Sequence, residues 1–195
     1  MAPAMEAPPD ARPVRRALFV DRDGTLNPDL HYLKDSDRLE LFRGVGRALA
    51  LAHAHGYLVV CVTNQSGVGR GIYSTADVDR MHARLNGLLA REGTRIDAFY
   101  YCPHAPEENC RCRKPGTGLF ADARRDLNLD FGTSAIIGDR VVDVEAGRSI
   151  GLVTALVVPP GHKEETEREL AAHAVAPEIR AGTLEAAVAR ILARG

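Results

Sequence analysis

Three apolar runs, each breaking off into a polar turn, constrain this chain more than any other feature. Ala17-Leu18-Phe19-Val20 gives way to Asp21-Arg22-Asp23-Gly24-Thr25, and Tyr57 to Val62 gives way to Thr63-Asn64-Gln65-Ser66-Gly67. Ser134 to Ile137 runs into Gly138-Asp139-Arg140. Short runs without polar alternation are the mark of strands buried on both faces, as in parallel sheets.

Stretches of helical period lie between them. Val45, Leu49 and Leu51-Ala52 recur over Gly44 to His55, with Gly56 as the stop. Ser74 or Thr75 caps a helix to about Arg91, its apolar face carrying Val78, Met81, Leu85 and Leu88-Leu89. A strand over Ile96 to Tyr101, helices over Gly118 to Leu127 and Val142 to Ile150, and a strand over Val153 to Val158 continue the alternation. A helix from Glu164 to about His173, a short extended piece and a terminal helix from Thr183 to about Ala193 complete it. This order predicts an α/β fold, a doubly wound three-layer sandwich with a mostly parallel central sheet. Ligands of such sheets bind beyond the carboxyl ends of the strands, so the polar turns are expected to converge on one crevice.

Length, charge and hydropathy narrow the class. The 195 residues suit one domain over 15–195, preceded by a flexible tail over 1–14 that holds four of the eleven prolines. A formal net charge of −1 offers no basic surface for nucleic acid and no charge block for a membrane. Arg15-Arg16 is followed by far too short an apolar run for a twin-arginine signal, and no stretch approaches the ~18 apolar residues of a span. A cytoplasmic monomer is expected.

The turns carry the chemistry. Asp21 and Asp23 after a buried strand let one carboxylate attack an electrophile while the other moves protons, although Asp-x-Asp-Gly also occurs in calcium loops and plain turns. Thr63-Asn64 supplies a hydroxyl and backbone N–H groups, the donors a phosphoryl group needs. Lys114 offers a point charge and Arg113 a planar fork for anions. Asp139, beside Asp21 and Asp23, completes an oxygen site for Mg²⁺, and Asp143 one helical turn on suits a capping role as well as a ligand.

Three of the four cysteines fall close together, and Cys102-x-His104 with Cys110-x-Cys112 forms a three-thiolate, one-imidazole set suited to a closed structural zinc site. The loop 102–112 leads straight into Arg113-Lys114. Cys61, in an apolar run, reads as core, while His53, His55, His82, His162 and His173 read as surface histidines.

The ordered series Asp-x-Asp-Gly-Thr, Thr-Asn-Gln, Lys-Pro and Gly-Asp, from Ala17 to Val158, resembles the haloacid dehalogenase-type phosphatases. The resemblance implies Asp21 as nucleophile and Asp23 as the acid and then the base. It further implies Thr63 and Lys114 as phosphoryl stabilisers, and Mg²⁺ held by Asp21, the Asp23 backbone carbonyl and Asp139. Asp23 and Thr63 are 40 residues apart and Thr63 and Lys114 are 51 apart, intervals already filled, so no cap domain is expected. The zinc loop narrows the resemblance to a capless branch shared by heptose-bisphosphate phosphatases and histidinol-phosphate phosphatases. Ser66 and Arg70-Gly71 favour the heptose side. A small phosphorylated sugar is then the expected partner, touched by Asp29, His31, Tyr32, Asn64, Gln65, Ser66, Arg113 and Arg140. A zinc-stapled interaction module without catalysis is the non-enzymatic alternative.

Overall fold

The computed structural model describes residues 13–158 and 163–194. His162 and most of the expected tail lie outside these residues. The strands are β1 (Arg16–Val20), β2 (Tyr57–Asn64), β3 (Ala98–Cys102), β4 (Ala135–Gly138), β5 (Val153–Val157) and β6 (Ile179–Ala181). The helices are α1 (Val45–Ala54), α2 (Thr75–Ala90), α3 (Gly118–Leu127), α4 (Val141–Ser149), α5 (Lys163–Ala172) and α6 (Leu184–Leu192). They build one sheet in the order β3-β2-β1-β4-β5-β6, and every pairing in it is parallel.

Strand alternation sorts the core into layers. Leu18 and Val20 point to the side covered by α1, α2 and α6, where Leu49, Leu85 and Val188 meet them. Ala17 and Phe19 point to the other side, against Leu119, Phe120 and Ala123 of α3. Phe19 stacks edge-on to Phe120 with ring centroids 5.1 Å apart, and its full burial contributes about 2–3 kcal/mol. On that same side α4 and α5 close over β5 through Val144, Leu156 and Leu170. The sandwich is therefore doubly wound, as the alternation predicts.

Several boundaries differ from the sequence expectation for local reasons. The Asn86 side chain takes both backbone groups of Ile96, so the third strand starts at Ala98 and runs on into Cys102. The short extended piece before α6 is a sixth strand, pairing Ala155 with Ile179 at the sheet edge. Ser74 caps α2 in a capping box with Asp77. The expectation of surface histidines fails at His82, which is buried and lies flat on Phe99 at 4.2 Å. His53 and His173 also have partners, Asp97 and Glu145, each at 2.8 Å. Cys61 is fully buried, as expected. Among the described residues no helix is long and apolar enough to cross a membrane.

Candidate active site

The strand order reverses between β1 and β4, so the chains leaving these two strands diverge and open a crevice at their carboxyl ends. Asp21 follows β1, and its N–H donates to the Ile137 carbonyl at 3.0 Å, which anchors it beside β4. Asp139 follows β4 and accepts from Thr25 Oγ1 at 3.2 Å. Between them the chain turns at Gly24, with φ of +82°, and a Cβ there would lie 2.1 Å from Asp139 Oδ2. Both the positive φ and the close approach require glycine in this motif.

Lys114 enters from the far side of the crevice. Its ammonium lies 3.0 Å from Asp21 Oδ1 and 2.6 Å from Asp143 Oδ1, and it donates to the Val62 carbonyl at 2.7 Å. Burial works against the charge, but the two carboxylates hold Lys114 protonated well above the usual lysine range. Burial pushes the Asp21 carboxyl up to about 6 against the pull of Lys114, with Asp143 and Asp23 adding to the rise. Burial, together with Asp21 and Asp143, pushes Asp139 up to about 8. Oxygens of Asp21, Asp139 and Asp143 lie within 4.8 Å of one another, close enough to share a cation. One ammonium does not neutralise three carboxylates, so the site has unmet demand for positive charge.

Asp23 is held differently. Arg22, itself buried, pairs with it through Nε at 3.1 Å and Nη2 at 2.6 Å, and Asn27 donates at 3.0 Å. Gln65 Nε2 adds a further bond at 3.0 Å. Burial alone would raise this carboxyl, but Arg22 and the other donors outweigh it and keep Asp23 ionised below the usual range.

The crevice is a cavity of about 500 Å³ that brings together every residue the sequence nominated for catalysis or substrate contact, with Asp139. Asp29, His31 and Tyr32 reach it on the loop before α1, Ser66 follows β2, and Arg113 and Arg140 flank Lys114 and Asp139. Arg113 Nη1 is buried with no hydrogen-bond partner among the described residues. Two of the expected substrate contacts are otherwise engaged. Asn64 clamps Lys114, accepting from its N–H at 3.0 Å and donating to its carbonyl at 3.2 Å. Gln65 is fully occupied with Arg22, Tyr73, Asp23 and Thr63, which leaves no amide group for a ligand. Arg70 stands outside the cavity lining and pairs with Glu107. Sequence reasoning overlooked Arg22 and Tyr73, which meet only through Gln65, 43 residues from Arg22. It left the role of Asp143 open, and in the structure Asp143 both accepts from the N–H of Arg140, the N-cap residue of α4, and is the carboxylate under Lys114.

Beside this crevice, Cys102 at the end of β3 joins His104, Cys110 and Cys112. The three sulfurs lie 3.3–3.4 Å apart, and His104 Nδ1 is 3.2 Å from Cys112 Sγ. The three cysteines are free thiols, and with His104 they could hold a metal ion.

The HAD-hydrolase-like family model matches residues 111–182. The chain is 39% identical over 162 residues to D-glycero-beta-D-manno-heptose-1,7-bisphosphate 7-phosphatase of Haemophilus ducreyi, covering 80% of this chain and 89% of that one. It is 39% identical over 150 residues to the alpha-named enzyme of Burkholderia mallei, covering 73% and 79%. The crystal structure of a D,D-heptose 1,7-bisphosphate phosphatase from B. bronchiseptica, complexed with magnesium and phosphate, superposes with a TM-score of 0.80 at 30% identity, covering 92% and 99%.

Proposed function

This chain belongs to the haloacid dehalogenase-like phosphatases, in the family of the heptose-1,7-bisphosphate 7-phosphatases, and from that membership we propose that it removes the C7 phosphate of D-glycero-D-manno-heptose 1,7-bisphosphate. As a phosphoric monoester hydrolase it is not the non-catalytic, zinc-stapled module that the sequence alone left open. The observation that carries the proposal is the position of Asp21 at the end of β1, within 3.0 Å of Lys114 and below a rim bearing Arg113 and Arg140.

In this reading a carboxylate oxygen of Asp21 attacks phosphorus, forming an acyl-phosphate as the P–O bond to the C7 alcohol breaks. Asp23 delivers the proton the departing alkoxide needs. Because Asp23 is ionised in the free site, that proton arrives with the substrate's phosphate monoanion. A water then attacks the aspartyl-phosphate, Asp23 takes its proton and passes it to the departing phosphate, and inorganic phosphate leaves with Asp21 and the ionised Asp23 both restored. Lys114 and the Thr63 hydroxyl stabilise the charge on the transferring group. The crowded carboxylates fit Mg²⁺, a hard cation with oxygen ligands, and Asp21, Asp139 and the Asp23 carbonyl would hold it. When bound, the ion would supply the positive charge that lets an anionic nucleophile approach an anionic phosphate. The cysteine loop fits one structural zinc, since three thiols and an imidazole make a closed tetrahedral donor set.

Arg113 and Arg140 are assigned to the remote phosphate and hydroxyls of the sugar, and their place in the cavity lining supports this. Remote binding energy of this kind raises kcat by fixing the reacting phosphate in line. The test is kcat/KM for the heptose bisphosphate, fructose 1,6-bisphosphate and histidinol phosphate at identical Mg²⁺. The heptose bisphosphate should lead by about tenfold or more, and Arg113→Ala should erase most of that lead. Preferred turnover of histidinol phosphate would overturn the substrate assignment.

A further inference from the structure

Gln65 makes four hydrogen bonds, and the chemistry of its partners fixes the direction of each. Arg22 can only donate, so the Gln65 atom facing its Nη2 at 3.1 Å is the amide oxygen. With the oxygen fixed on Arg22, the other atom of the same amide is the nitrogen, and it donates to Asp23 Oδ2 at 3.0 Å. Two consequences follow. Tyr73, whose hydroxyl sits 2.8 Å from the Gln65 oxygen, must be donating to it. Thr63 Oγ1, 3.0 Å from the Gln65 nitrogen, must be accepting, which leaves its own hydroxyl hydrogen free of Gln65 in a residue that lines the cavity.

Tyr73 is half-buried, lines the same cavity, and rests against Gly67, where a Cβ would meet the ring at 2.2 Å. We propose that Tyr73 and Gln65 are positioning residues for proton transfer. The Tyr73 O–H and Arg22 hold the Gln65 oxygen, so that the Gln65 amide fixes the Asp23 carboxylate and turns the Thr63 hydroxyl into a donor toward the phosphoryl group. Neither residue needs to touch the substrate to do this. The inference rests on the assignment of proton transfer to Asp23 made above, and it adds the residues that orient that group.

The test compares kcat and KM on the heptose bisphosphate, whose leaving alkoxide needs a proton, with 4-nitrophenyl phosphate, whose leaving group does not. Tyr73→Phe keeps the ring and removes only the hydroxyl. It should lower kcat on the heptose bisphosphate about tenfold with KM within about twofold, and cost less than about threefold on 4-nitrophenyl phosphate. Gln65→Glu sets an acceptor against Asp23 and should show the same leaving-group split at about a hundredfold. Equal losses on both substrates, a change in KM alone, or no change in Tyr73→Phe would overturn the inference. Asp23→Ala is measured in parallel. If it shows no leaving-group split, the acid–base assignment itself fails, whereas a split in Asp23→Ala but not in Tyr73→Phe removes only the positioning role. Absence of wild-type turnover of the heptose bisphosphate overturns the substrate reading and this inference with it.

Discussion

Lys114 Nζ lies 2.6 Å from Asp143 Oδ1, with both side chains 1% exposed. Removing one member of such a pair strands the other charge in a low-dielectric site, which costs about 3–5 kcal/mol. Asp143→Ala should therefore lower unfolding free energy by about that amount in urea titrations, and should also loosen Lys114 from Asp21. A loss under about 1 kcal/mol would show that Asp21 and the Val62 carbonyl hold Lys114 unaided.

Stability should also depend on pH through His82. Burial holds its imidazole neutral, with a folded-state value pulled down from 6.5 to about 3. The unfolded chain takes up a proton near 6.5 and the folded chain does not, so this contribution is complete above that pH and is lost as pH falls toward 3. Between pH 7.5 and 5 the wild type should lose about 2 kcal/mol that His82→Phe does not lose. Parallel stability curves for the two proteins would show that His82 titrates normally in the folded state.

His82 also shows what the sequence does and does not reveal. It stands between Val78 and Leu85 on the apolar stripe of α2, so its burial was legible by spacing, and residue type alone suggested otherwise. The parallel sheet, the start of the terminal helix near Thr183 and the bounds of α3 were readable because hydrophobic period and turn residues are local signals. The three-residue β6 was readable only as a short extended piece, since so short a segment has no period to mark it as a strand. In the site, the acidic residues were visible as strand-end motifs and Lys114 as a cation directly after the cysteine loop. The engagement of Asn64 with Lys114, and of Gln65 with Arg22 and Tyr73, was not. Those contacts depend on the crossing of β1, β2 and the cysteine loop in space, and the Asn64–Lys114 clamp alone joins residues 50 apart.

The cysteine loop should carry one tightly held zinc per chain, found by elemental analysis of protein purified without added zinc. Cys102→Ser should lose the metal and lower activity through the neighbouring Arg113 and Lys114. A metal-free wild type, or a disulfide between Cys110 and Cys112, would contradict the zinc assignment.

Magnesium affinity should rise with pH. Asp139, pushed up to about 8 by burial and its acidic neighbours, must shed its proton before it can hold a cation. Calorimetric titration should show tighter Mg²⁺ binding at pH 8.5 than at 6.5, with proton release on binding at the lower pH. Equal affinity and no proton release would mean that Asp139 is already ionised at 6.5.

The central claim is that Asp21 carries the phosphoryl group, and it can be read from the covalent state of that residue during turnover. Borohydride reduces an acyl-phosphate to an alcohol, converting a phosphorylated aspartate to homoserine. Enzyme quenched with borohydride while hydrolysing the heptose bisphosphate, then digested and sequenced by mass spectrometry, should show homoserine at position 21 and an unchanged Asp23. Full turnover with Asp21 unmodified, or modification at another residue, would contradict the account.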